Sequence, residues 1–156
     1  MFIRNCWYVV AWDHEIPADG LFARTVIGEP LVLFRTAAGY VVALEDRCCH
    51  RLAPLSKGRK EGDCVRCGYH GLMFDAAGIC VEVPGLDKVP PKAKVRRYPV
   101  AVKNRWVFVW MGDPARADEV AMPDIPELER AKPWAKLLVD FTWKAHHSMI
   151  IDNVSD

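Results

Sequence analysis

Four residues in two short stretches carry the chemistry of this chain. Cys48-Cys49-His50-Arg51 offers one thiolate and one imidazole in a C-x-H pattern. After an interval covering residues 51–66, Cys67-Gly68-Tyr69-His70-Gly71 offers the same pair as C-x-x-H. Two His and two Cys on two loops are the ligand set of a [2Fe–2S] cluster in which imidazoles replace the thiolates on one iron. Each iron takes two bridging sulfides and needs two protein ligands, so one Cys from each loop can hold one iron and one His from each loop the other. The formal charges of two ferric ions, two sulfides, two thiolates and two neutral imidazoles cancel. Adding an electron to a neutral site costs less than adding it to an anionic four-cysteine cluster, so the potential is expected to be higher. The ring nitrogens not bound to iron remain free to hydrogen-bond or titrate. The chemistry expected is one-electron transfer.

Zinc is the competing metal. Cys64-Val65-Arg66-Cys67 is a C-x-x-C, and Cys48, Cys49, His50 and His70 could complete a closed site. Adjacent Cys48 and Cys49 are awkward as ligands to one ion, and the second well-spaced pair of a zinc ribbon is missing. Cys6, Cys49, Cys64 and Cys80 are left over, and each reads as a small buried or half-buried thiol. Gly68 and Gly71 let the second loop turn sharply and approach sulfur. Arg51 and Arg66 flank the loops and could supply charge or hydrogen bonds.

These loops need a scaffold, and the chain supplies short β-type runs punctuated by Gly and Pro. Residues 1–12 read as an opening strand with Trp7, Val9 and Ala11 on one face. Thr25-Val26-Ile27, Leu31 to Phe34 and Tyr40 to Leu44 follow, the last two joined by a turn at Ala37-Ala38-Gly39. Cys64-Val65-Arg66 leads into the second loop. Gly71 to Asp75 and Ile79 to Val83 form a hairpin across Ala76-Ala77-Gly78. Val95 to Val102 and Arg105 to Trp110 are two more strands joined by Lys103-Asn104. In the last, Trp106, Phe108 and Trp110 alternate with Val107 and Val109, so both faces are apolar and a central position is expected. Beyond Met111 the character changes. Trp134 to Phe141 reads as a strand. Trp143, His146, His147, Ile150, Ile151 and Val154 then recur at helical spacing, with Thr142 as a plausible N-cap. The ending reads as an interruption of that helix.

Composition bounds the function. An apolar content of 51% and a charged content of 26% are ordinary for a globular domain and allow a sizeable core in 156 residues. A net charge of +1 argues against a nucleic-acid binder. The basic clusters, Lys57-Gly58-Arg59-Lys60 and Arg96-Arg97, lack aromatic interleaving; they read as a solvated face or a docking patch for an acidic redox partner. No run approaches the ~18 apolar residues of a membrane span, and residues 1–15 make a poor signal peptide. No membrane partner is expected, and the cytoplasm is the default location.

The chain resembles the N-terminal part of a Rieske non-haem iron oxygenase, the terminal oxygenase component of systems such as vanillate O-demethylase and dicamba monooxygenase. Asn5-Cys6-Trp7-Tyr8 resembles the family opening. Cys48 to Ser56 and Cys67 to Asp75 resemble its two cluster boxes, and Pro84-Gly85 and Met111-Gly112-Asp113-Pro114 its later landmarks. Respiratory and photosynthetic Rieske proteins carry an extra disulfide-forming Cys in each box. The matching positions here are Ala53 and Tyr69, which favours the oxygenase type. Cys49 stands where the family usually has Pro, so the loop is expected to be softer and the site more oxidation-sensitive.

The resemblance implies a mainly β fold: a Rieske [2Fe–2S] domain of antiparallel sheets over 1–110, then the truncated start of an α+β catalytic domain over 111–156. It implies cluster ligands Cys48, His50, Cys67 and His70. It also implies electron transfer from a reductase or ferredoxin to a mononuclear Fe(II), present only in a full-length form that oxidises an aromatic or related small molecule. Asn153-Val154-Ser155-Asp156 resembles the start of the mononuclear-site motif. Asp156 would be the carboxylate bridging electron transfer to the cluster His of a neighbouring subunit in a homotrimer. His146 and His147 lie upstream of that motif and read as packing or polar-lining residues. The alternative is a stand-alone Rieske ferredoxin, which has no reason to carry residues 134–156.

Overall fold

The structure, a computed structural model, describes residues 2–124, 139 and 141–155. The expected strand over 134–141 and Asp156 fall largely or wholly outside these residues. Eleven strands form three antiparallel sheets among the described residues. The first sheet has the order β1 (Cys6–Trp12), β11 (Trp106–Met111), β10 (Val100–Lys103). The second runs β2 (Phe22–Val26), β3 (Glu29–Arg35), β4 (Val41–Glu45), β9 (Arg97–Tyr98). The third runs β5 (Arg59–Glu61), β6 (Cys64–Arg66), β7 (Met73–Phe74), β8 (Cys80–Glu82).

The second sheet is the middle layer. Alternate residues of a strand face opposite sides, and β3 and β4 are apolar on both. Leu31, Leu33 and Ala43 point into a core shared with Val107, Val109 and Met111 of β11. Val32, Phe34, Val42 and Leu44 point the other way, into a core shared with Cys48, Leu55, Val65, Cys67 and Phe74. The second core is the floor of the two candidate ligand loops. Strand β11 is central within its own sheet, as its two apolar faces imply. Its outer face is closed by Trp7, whose ring meets Trp110 edge-on at 5.4 Å, while Trp110 Nε1 donates to the Asp113 carbonyl at 2.8 Å.

Several expected boundaries differ for local reasons. A register shift between Val9 and Ala11 is a β-bulge. It leaves Val9 exposed and turns Ala11 into the core with Val10, so Trp7, Val9 and Ala11 do not share a face. Ile27 is not a strand residue; it has φ +45° and makes a two-residue turn with Gly28. Val95 to Val102 is not one strand. Pro99 cannot donate to a ladder, and the chain changes sheets there, β9 pairing with β4 and β10 with β11. The helix α1 spans His147–Ser155 and starts later than Thr142. His146 ends the preceding turn: its carbonyl accepts from Met149 N at 3.0 Å, and its Nδ1 lies 2.8 Å from Ser148 Oγ. Among the described residues no helix is long and apolar enough to cross a membrane.

Candidate metal centre

The first ligand loop leaves β4 and the second joins β6 to β7. Both have one backbone frame. Cys48 N donates to Ala53 O at 2.8 Å, and Leu52 N donates back to Cys48 O at 2.9 Å. Cys67 N donates to Leu72 O at 2.8 Å, and Gly71 N donates back to Cys67 O at 3.1 Å. The fourth residue after each Cys is left-handed: Leu52 at φ +57° and Gly71 at φ +76°. Gly71 supplies this without strain, and a Cβ there would also meet Pro84 Cγ at 3.0 Å. Gly68 is needed for a different reason, since a Cβ would lie 3.0 Å from the Lys57 carbonyl oxygen.

The four expected donors come together in two pairs. Cys48 and Cys67 are each 2% exposed and their thiols contact one another. His50 and His70 are exposed, with ring centroids 4.8 Å apart. Burial pushes the Cys48 thiol up to about 11; a backbone N–H of His50 opposes the shift, and the Cys67 and Cys49 thiols add to it. A metal must therefore displace protons to bind here. Among the described residues no three His, Cys, Asp or Glu donors are grouped as a single ion requires. A closed zinc site takes four donors around one ion, whereas a [2Fe–2S] cluster takes two per iron. Two buried thiols and two exposed imidazoles fit the cluster.

Each loop is fastened at its base. The buried carboxylate of Asp46 accepts from Ser56 N and Ser56 Oγ, both at 2.6 Å, and so closes the first loop across its ends. The second is held by Arg66, whose Nη1 donates to Gly71 O at 2.8 Å. Arg66 also forks onto Glu82 at 2.9 Å and contacts Glu61 at 2.8 Å. The Arg66 hydrogen bonds hold the Glu61 and Glu82 carboxyls below the usual range and raise the guanidinium further. The loops touch at Gly58, where an added Cβ would stand 2.0 Å from the Arg66 carbonyl oxygen. Arg66 was legible as a flanking residue. Asp46, Ser56 and Gly58 were not; Gly58 was hidden inside what reads as a charge run.

All six cysteines are free thiols. Cys80 is buried and Cys6 and Cys64 half-buried, but Cys49 is exposed at the surface of the first loop. Tyr69 is exposed and stacks on His70 at 3.9 Å. Of the sequence's basic clusters, Arg59 pairs with Glu61, Lys60 reaches Asp19 and Arg96 pairs with Glu29. His146 caps α1, and His147 packs on Phe2 at 5.1 Å. A groove of about 1040 Å³ lies between β1, β2 and α1 and shares no residue with the ligand loops.

The model of the Rieske [2Fe-2S] domain matches residues 6–99. The chain is 55% identical to the toluene-4-sulfonate monooxygenase system iron-sulfur subunit of Comamonas testosteroni over all of its own length and 45% of that protein. It is 44% identical to the dicamba O-demethylase oxygenase component of Stenotrophomonas maltophilia over 79% of this chain and 36% of that one. The crystal structure of dicamba monooxygenase bound to dicamba superposes with a TM-score of 0.78 at 40% identity, covering 83% of this chain and 39% of that chain. The chain thus spans less than half the length of these relatives. The matched residues take in both ligand loops and strands β1 to β9, and on that extent the chain belongs to the Rieske [2Fe–2S] domain family.

Proposed function

We propose that Cys48 and Cys67 hold one iron of a [2Fe–2S] cluster and His50 and His70 the other, and that the chain relays single electrons as part of an oxygenase component. One observation carries the reading: two loops of the same backbone frame bring two buried thiols under two exposed imidazoles. When bound, the cluster supplies reversible one-electron reduction. The chain's own residues do the rest. Val65, Leu55 and Phe74 keep water from the thiols. Asp46 and Arg66 fix the loops. His50 and His70 present their imidazoles to solvent.

The wider activity is carried by similarity. The similarity to the toluene-4-sulfonate relative continues through residues 111–156, which a stand-alone ferredoxin would not need, and this favours the oxygenase reading. On that reading residues 1–110 are the Rieske domain and 111–156 the start of a catalytic unit. The electron comes from a reductase or ferredoxin and goes to a mononuclear Fe(II) that oxidises an aromatic or related small molecule. Asp156 is the bridge to that iron in a cytoplasmic homotrimer. Iron and acid-labile sulfide per chain, with visible and EPR spectra after anaerobic purification, test the reading. Two of each with a Rieske-type signal are expected; zinc without sulfide overturns it, and a third iron contradicts placing the mononuclear site outside these residues.

A further inference from the structure

The shared backbone frame matches the two ligand loops residue for residue. Cys67 answers Cys48, Gly71 answers Leu52 and Leu72 answers Ala53. By the same count Tyr69 stands where the first loop has His50, and His70 where it has Arg51. Both loops therefore carry a ring at the third place of the frame. The His70 ring lies against both of them. Its centroid is 3.9 Å from that of Tyr69, with planes 36° apart, and 4.8 Å from that of His50, with planes 62° apart. Among the described residues His50 has the His70 contact alone. The Tyr69 ring belongs to neither apolar core and is 62% exposed, so burial is not what holds it. Its base is fixed, because the preceding Gly68 is seated where a Cβ would stand 3.0 Å from the Lys57 carbonyl oxygen. Its hydroxyl makes no hydrogen bond to another described residue. What the phenol ring touches is the His70 imidazole.

We propose that Tyr69 is a positioning residue: its ring fixes the plane of the His70 imidazole against His50, so that one imidazole is held from two sides and the other from one. The proposal rests on the cluster reading above. Contacts outside the ligand atoms orient a metal-bound imidazole and tune the metal. An aromatic pair is worth more than the area it buries, enough to bias the rotation of the ring. The contact is made by the Tyr69 ring and not by its hydroxyl, so phenylalanine should serve in its place and an aliphatic side chain should not. The extra residue of the C-x-x-H box is then the one that holds the histidine following it.

The test uses the iron-loaded chain, purified anaerobically, with Tyr69→Leu and Tyr69→Phe. Tyr40→Leu controls for the loss of an exposed aromatic, since Tyr40 is 73% exposed in the turn between β3 and β4. Pulsed EPR of the reduced cluster reads the nitrogen couplings of the two imidazoles, and an iron chelator reads how fast iron is released. In Tyr69→Leu the coupling of one imidazole is expected to broaden while the other stays as in the unmodified chain, and iron release to speed up about 2- to 10-fold. Tyr69→Phe and Tyr40→Leu should match the unmodified chain in both. Unchanged couplings in Tyr69→Leu, or both couplings altered alike, overturn the positioning role and leave the cluster reading standing. So does a Tyr69→Phe or Tyr40→Leu variant that behaves as Tyr69→Leu. An unmodified chain with no Rieske spectrum overturns the cluster reading. Proton NMR of that chain then decides the contact: the Tyr69 ring should shift the His70 ring protons, and shifts that are the same in Tyr69→Leu overturn it.

Discussion

Gly58 is the place where one methyl group should disable the site without touching a ligand. It has φ −87° and ψ −144°, so an L-residue is not excluded by φ. The obstacle is space. A Cβ would lie 2.0 Å from the Arg66 carbonyl oxygen, 3.0 Å from its carbon and 3.0 Å from Gly68 N. All three are backbone atoms, and none belongs to a side chain that can swing away. Arg66 cannot retreat easily, because β5 holds it in register with Arg59 and its guanidinium is committed to Glu82 and Gly71 O. Relief must move the chain on either side of Cys67. Overpacking of this kind costs about 1–3 kcal/mol, which for a chain of this size is a fall in Tm of about 2–12 °C. Gly62→Ala is the control. Gly62 has φ +58° with nothing near its Cβ position, so alanine there costs about 1 kcal/mol of left-handed strain and leaves the loops alone. Iron and sulfide per chain and thermal melts should be compared for the two variants. Gly58→Ala is expected to lose much of its iron, and Gly62→Ala to keep it. If Gly58→Ala holds full iron and melts within about 1 °C of the parent, the claim that the loops are wedged together at this point is wrong.

Asp46→Ala should destabilise the chain by about 2–4 kcal/mol, because it strands the Ser56 N–H and O–H that it accepts; urea unfolding measures this, and a loss under about 0.5 kcal/mol would show the clamp to be idle. Tyr98→Phe should make stability depend less on pH. Burial pushes the Glu29 carboxyl up, but the Tyr98 hydroxyl and the Arg4 and Arg96 guanidiniums outweigh it and hold it below the ordinary 4.5. A depressed carboxyl contributes stability above its unfolded value and loses it as pH falls through the folded one. The stability lost on Tyr98→Phe, about 1–2 kcal/mol near neutral pH, should therefore shrink below pH 4.5. A loss unchanged on acidification would detach Tyr98 from the Glu29 charge.

The ligands were legible because chemistry restricts their types. Only Cys and His can do what Cys48, His50, Cys67 and His70 are proposed to do, and the spacing tied them to two loops. The strands were legible where apolar residues alternate or run, as in Leu31 to Phe34 and Trp106 to Trp110. What escaped depends on partners distant in sequence or on a single dihedral. A bulge moves Ala11 to the face of Val10, one proline divides β9 from β10, and Ile27 takes a conformation β-branched residues avoid. Helix α1 was expected one turn early because His146 looked like part of an apolar stripe, whereas its ring and carbonyl cap the first turn. Gly58 matters through Arg66 and Gly68, and no local pattern announces that.

The two boxes differ in spacing but share one backbone frame. Both loops reverse over the same five residues, closed by the same pair of backbone bonds and turned by a left-handed fourth residue. Here His50 leaves two residues after its Cys and His70 three, so the rings depart from different points of like turns. They meet at 4.8 Å with planes 62° apart, while Cys48 and Cys67 keep equivalent places below. The frame thus sets the thiols as a matched pair, and the imidazoles converge although they leave it one residue apart. Leu52 bears the cost of that symmetry: it holds at φ +57° the place where the second loop has Gly71, about 1–2 kcal/mol of strain that the Asp46–Ser56 clamp across the same loop helps to offset.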